Sequence, residues 1–156
     1  MIPKSKAAEL QAYLQEPREM QKHQTFLSIA QRLSWLGTCD RKQVGAVITR
    51  EGRCVSWGFN GAPPGMPHCQ HLGDVLPCTN ATHAEANALA FAARSGISTD
   101  GGTLYVTLSP CEVCARLLIA AGIVEVWFLE EYRDVKGLDI LIRAGVLCNT
   151  VANLTT

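Results

Sequence analysis

The chain has 156 residues, 47% of them apolar, which is enough for one domain with a sizeable core. Fourteen basic residues balance fourteen acidic ones, so no positive excess draws in a long nucleic acid, and a small-molecule partner suits the balance better. No stretch approaches the roughly 20 apolar residues needed to span a bilayer, and residues 1–6 precede no signal-like apolar run, so a cytoplasmic protein without a membrane partner is expected.

Residues 1–20 read as a peripheral extension of a single domain over 1–156. Ala7, Ala8, Leu10, Ala12 and Leu14 allow a short helix that stops before Pro17, and Phe26, Leu27, Ala30, Leu33 and Leu36 predict a core-facing helix over 20–37. Val44, Ala46, Val47 and Ile48 mark a strand over 43–50. Glu51-Gly52 supplies a turn, and 54–60 is the return strand of an antiparallel hairpin. Residues 61–81 hold Gly61, Pro63, Pro64, Gly65, Pro67 and Gly73, and predict a long irregular loop of the kind that carries function or is tied by a metal. Thr82 opens an alanine-rich helix that Gly96 closes. A strand over 103–108, a helix over 110–121 ended by Gly122 and a strand over 123–129 then predict a parallel pair joined by a crossover helix. A helix near 137–144 and an apolar segment over 146–151 complete an α/β chain: a central mixed sheet of about five strands with helices on both faces. Cys54 and Cys148 lie in strand-like segments and Trp35, Trp57 and Trp127 among apolar neighbours, so all five are expected in the core.

Seven cysteines in a chain without an export signal favour metal ligation over disulfides. In Ser109-Pro110-Cys111-Glu112-Val113-Cys114 the two thiols share one face of a helical turn, and a helix start favours the thiolate that zinc requires. His83, in Thr82-His83-Ala84-Glu85 at another helix start, would be a third ligand. Three protein ligands leave the fourth tetrahedral position to water, which is how catalytic rather than structural zinc is held. Glu85, two residues from His83, projects elsewhere and can move the proton that zinc makes acidic. H-x-E followed by P-C-x-x-C is the pattern of zinc deaminases, which replace the amino group of a nucleobase with oxygen. Two simpler readings compete. Thr82-x-x-Glu85 and Ser109-x-x-Glu112 both fit a helix capping box, accepted for Glu112 but not for Glu85, and Cys111 with Cys114 alone could be a redox pair.

Beyond these motifs, Cys39 to Ile48, Gly58-Phe59-Asn60-Gly61-Ala62-Pro63, Gly65-Met66-Pro67-His68-Cys69, Leu104 to Cys114, Ala121-Gly122-Ile123 and Tyr132-Arg133-Asp134 follow one another as in the deoxycytidylate (dCMP) deaminases. The resemblance covers about residues 23 to 148. It implies a three-layer cytidine deaminase-like fold, a catalytic zinc, and hydrolysis of dCMP to dUMP with release of ammonia, supplying thymidylate synthesis. It further implies a homo-oligomer, hexamer favoured over dimer. Asn60 would bind the deoxyribose, the backbone at Ala84 and Ser109 the pyrimidine edge, and Tyr132 would lie against the nucleotide; Arg41 or Lys42 would supply the cation that a phosphate needs, with solvated turn charges as the alternative. Some relatives hold a second, structural zinc, for which Cys39, His68, Cys69, His71 and Cys78 are the candidates here, with buried free thiols as the alternative. Ala86 stands where the family often has a second glutamate. Phe59 replaces a tyrosine of a loop that in some members belongs to the regulatory site for dCTP and dTTP. Rival readings are a deaminase of 5-substituted dCMP or of free (deoxy)cytidine, and an inactive zinc-stabilised binding module. The neutral charge argues against transfer RNA as substrate.

Overall fold

The computed structural model describes Ala8 and residues 17–70 and 78–151. Pro17 opens a helix: α1 spans Pro17–Ser34. Proline costs nothing at a first helical position, where its missing N–H would lack a partner anyway. The short helix expected over Ala7 to Leu14 lies outside the described residues apart from Ala8. Strands β1 (Gly45–Arg50) and β2 (Arg53–Phe59) pair antiparallel across Glu51 and Gly52, which both take positive φ as a two-residue hairpin turn requires. There follow α2 (Ala84–Arg94), β3 (Thr103–Leu108), α3 (Glu112–Ala120), β4 (Glu125–Glu130), α4 (Lys136–Arg143) and β5 (Leu147–Thr150).

The five strands form one mixed sheet in the order β2-β1-β3-β4-β5. β1 runs antiparallel to β2 and β3, while β3, β4 and β5 run parallel, as the crossover pattern predicts. Strand alternation sorts the core into two layers. Ala46, Ile48, Leu104, Val106, Val126 and Phe128 face α2, α3 and α4, whereas Val47, Tyr105 and Trp127 face Leu27 and Ala30 of α1. The result is three layers, α/β/α. Burying each large aliphatic side chain contributes about 1.5–3 kcal/mol.

Topology then gathers the chemistry-bearing segments at one end. Because β1 opposes β3 in direction, its start lies beside the carboxyl end of β3. Asn60 after β2, the segment before β1, the starts of α2 and α3 and the turn after β4 all meet there. In open α/β sheets such crevices take the ligand. Gly58 permits the approach: a Cβ there would lie 2.6 Å from both Ala84 O and Ala88 N, so a side chain would push β2 off the first turns of α2.

The α1 layer contains a buried polar group. His23 Nδ1 lies 2.9 Å from the Tyr105 hydroxyl, and the ring stacks on Trp127 at 4.0 Å between centroids. Burial, and then neighbouring Lys22, lower the His23 pKa to about 4. The unfolded chain therefore binds this proton more readily between pH 6.5 and 4. The stabilising effect of neutral His23 is complete above pH 6.5 and declines as pH falls through that window, by up to about 1.4 kcal/mol per pH unit. Urea unfolding at pH 7, 6 and 5 is expected to show this decline, with a shallower slope in His23→Gln.

Three core expectations fail. Trp35, just past α1, is 62% exposed and lies under the Arg32 guanidinium at 4.3 Å. Trp57 is 43% exposed because β2 is an edge strand, and it stacks on Phe59 instead. Cys54, at the outer end of that strand, is exposed too. Trp127 is buried in the sheet as expected, and Cys148 packs against the larger core.

Candidate active site

His83 and Cys111 each occupy the position just before a helix, with extended backbone and no side-chain capping bond. The helix starts therefore present an imidazole and a thiol outward, and Cys114 adds its thiol from the first turn of α3. His83 Nδ1 lies 3.5 Å from Cys111 Sγ and 3.4 Å from Cys114 Sγ. All three donor atoms fall within 4.8 Å of one another, the only such group among the described residues. Zinc held tetrahedrally at usual ligand distances separates a nitrogen from a sulfur by about 3.5 Å, so the donors present fit that ion. Hydrogen bonding from Cys114 and His83 holds the Cys111 thiol down at about 3, while donation to Cys111 and burial push Cys114 up. Its hydrogen bond to Cys111 raises the His83 pKa against the opposing effect of burial.

Glu85 is 4% exposed, and its burial raises its pKa to about 7. The capping readings do not hold. His83 and Cys111, not Thr82 and Ser109, are the cap residues, and Glu112 pairs with Arg116 one turn on at 2.6 Å. The redox reading also loses ground, since His83 Nδ1 lies within 3.5 Å of both thiols.

A cavity of about 440 Å³ opens over this group. It is lined by His83, Ala84, Glu85 and Cys111, and by Asn60, Arg41 and Tyr132 with Lys42 and Arg133. Asn60 has a structural task as well: its Oδ1 accepts the Val44 N–H and its Nδ2 donates to Lys42 O, both at 2.7 Å. One N–H and one lone pair of the amide remain. Ser109 is buried and outside the lining; its N–H donates to Glu130 O and its Oγ accepts the Tyr132 N–H at 2.7 Å. Lys42 pairs with Glu130 at 2.7 Å. Sequence reasoning missed that pair, 88 residues apart, and also the role of Gly137. A Cβ at Gly137 would lie 2.0 Å from Pro110 O, so only glycine lets α4 close on the metal segment.

Of the residues considered for a second zinc, Cys69 and Cys78 meet at 3.4 Å between sulfurs. Burial raises the Cys69 pKa, and Cys78 and then Cys39 add to it. Cys39 also lines the cavity. His68 is exposed, and His71 lies outside the described residues.

Residues 20–130 match the model of the cytidine and deoxycytidylate deaminase zinc-binding region. That span includes His83, Glu85, Cys111 and Cys114 but ends before Tyr132. The chain is 33% identical to the deoxycytidylate deaminase of Enterobacteria phage T2, over 80% of this chain and 89% of that one. It is 37% identical to ComE operon protein 2 of Bacillus subtilis over 71% of its own length, and spans 60% of that protein. The dCMP deaminase of cyanophage S-TIM5, solved with dCMP and dUMP, superposes with a TM-score of 0.80 at 33% identity, covering 87% of this chain and 98% of that one. No helix among the described residues is long and apolar enough to cross a membrane. With its His-Cys-Cys metal triad, buried glutamate and five-stranded mixed sheet, the chain belongs to the deoxycytidylate deaminase family of zinc-dependent deaminases.

Proposed function

We propose that the protein hydrolyses dCMP to dUMP and ammonia in the cytoplasm. The observation that carries this reading is the shared cavity: His83 and Cys111 of the metal triad line it together with Glu85, and Arg41, Lys42 and Arg133 bring cations to it. The volume is that of a small-ligand site. The deaminase from S-TIM5, solved with dCMP and dUMP, supports the choice of substrate.

His83, Cys111 and Cys114 would hold the zinc, which would supply the Lewis acidity that makes water nucleophilic near neutral pH. Glu85 takes the proton of the attacking water and delivers protons to the ring and to the departing amino group. The C4–O bond forms, the C4–N bond breaks, and ammonia leaves. A carboxyl with a pKa near 7 can both accept and donate at neutral pH. The remaining N–H and lone pair of Asn60 are free for a sugar hydroxyl. The Ser109 N–H is bound to Glu130 O, so its carbonyl is the backbone group that would meet the base.

A homo-oligomer, hexamer favoured over dimer, is part of the same reading. Phe91, Val113 and Leu117 stand exposed on α2 and α3 and support it. The Cys69–Cys78 contact, with Cys39 nearby, supports a second, structural zinc completed by His68 or His71.

Ammonia release from dCMP, 5-methyl-dCMP, deoxycytidine and CMP, measured side by side, tests the substrate. The highest kcat/KM is expected for dCMP. A higher value for 5-methyl-dCMP or deoxycytidine would move the assignment to that substrate.

A further inference from the structure

We propose that Asn87 is a positioning residue that sets where Asn60 meets the sugar, an inference that rests on the sugar-binding role given to Asn60 above. Asn60 follows β2, an edge strand with no strand on its outer side to hold its end. Its own backbone is tied to the segment before β1: the Asn60 N–H donates to Val44 O at 3.1 Å, and its carbonyl accepts the Thr38 N–H at 3.0 Å. Its two neighbours are tied to the metal-bearing segment instead. Gly61 exchanges backbone hydrogen bonds with Thr82, the residue before His83, at 3.1 and 2.8 Å. Phe59 O accepts a hydrogen bond from Asn87 Nδ2 at 2.9 Å, and the Asn87 N–H is in turn bound to His83 O at 2.9 Å. Asn60 thus sits between two ties that both lead to His83, and the Asn87 amide makes the one that depends on a side chain.

Asn87 is half-buried and lines a separate groove with Trp57, Phe59 and Phe91, not the cavity over the metal triad. Its effect on a substrate therefore passes through Phe59 and Asn60. The free N–H and lone pair of the Asn60 amide suit a hydroxyl, and a 2′-deoxynucleoside 5′-monophosphate carries a single free sugar hydroxyl, at 3′. Such a contact depends on placement, since an error of about 1 Å can cost on the order of 100-fold in rate. Without the Asn87 bond the end of β2 loses its side-chain tie to α2, and Asn60 can shift away from that hydroxyl. Glu85 and the three metal ligands, carried at the starts of α2 and α3, keep their places.

The test compares dCMP with 2′,3′-dideoxy-CMP as substrates, and dUMP with 2′,3′-dideoxy-UMP by calorimetric binding, in the native protein, Asn87→Ala and Asn87→Asp, with zinc content and a melting curve for each. Alanine is the strongest helix former, so Asn87→Ala keeps α2, while Asn87→Asp keeps the size but turns acceptors on the Phe59 carbonyl. The native protein is expected to prefer the compounds that carry the 3′-hydroxyl. Both variants are expected to lower kcat/KM for dCMP about 10-fold, chiefly through KM, and to weaken dUMP binding to match. Turnover and binding of the dideoxy compounds should stay within about twofold. If the variants keep the native preference, or lose activity equally on both substrates, the inference is overturned and the sugar role of Asn60 stands. An Asn87→Ala protein that does not fold overturns it too, by making the residue structural. If the native protein shows no preference for the 3′-hydroxyl in turnover or binding, both fail.

Discussion

Glu85→Gln is expected to lower dCMP turnover by between about 10² and 10⁴, with zinc content and fold retained. The amide matches the carboxylate in size but cannot accept a proton from water or pass one to the leaving amine. Glu85 is buried and its pKa stands near 7, so the native fold already accommodates a neutral group at this position about as readily as a charged one. A neutral amide therefore adds little desolvation cost. Measured kcat with dCMP, beside metal analysis and a melting curve, separates a lost proton carrier from a lost fold. Wild-type turnover in a correctly folded, zinc-loaded E85Q protein would remove Glu85 from the chemistry.

His83→Ala and Cys114→Ser are each expected to release the catalytic zinc and bring activity to background. The loss should exceed the roughly 10- to 100-fold that follows when a mere hydrogen-bond partner of a ligand is removed. Both residues belong to the one group of three donors that lies within 4.8 Å among the described residues. Two remaining donors do not make a catalytic site of this type. His83 is exposed, so its truncation leaves no buried void, and its melting temperature should fall only by what bound zinc contributes. Metal analysis also decides the second site: a zinc that survives Cys114→Ser but is lost in Cys69→Ser would be the structural ion. Full zinc and activity in His83→Ala would contradict the ligand assignment.

The sequence made the metal centre legible because its chemistry is local. Cys111 and Cys114 share a helical turn, and His83 with Glu85 forms a short motif, so type and spacing alone carry the information. The sheet was legible for a similar reason: Leu104-Tyr105-Val106 and Val126-Trp127-Phe128 alternate between two buried faces, and both faces are apolar. What the sequence hid depends on distant neighbours. Trp57 was expected in the core because the residues beside it are apolar, but an edge strand has no neighbour to cover it. Glu112 fits a capping pattern, yet the ligand Cys111 takes the cap position and Arg116 takes the carboxylate. The Lys42–Glu130 pair and the contact of Gly137 with Pro110 join segments far apart in sequence, and no local pattern marks them.

The most direct test of the account starts from protein stripped of metal by a chelator and follows dUMP formation from dCMP as zinc is added back, in the native protein and in E85Q. The account predicts that activity in the native protein rises in step with occupancy of the site made by His83, Cys111 and Cys114, while E85Q takes up the same zinc and stays near background. A folded, fully zinc-loaded native protein that forms no dUMP, and releases no ammonia from the other cytosine compounds, would contradict it and favour a zinc-stabilised binding module.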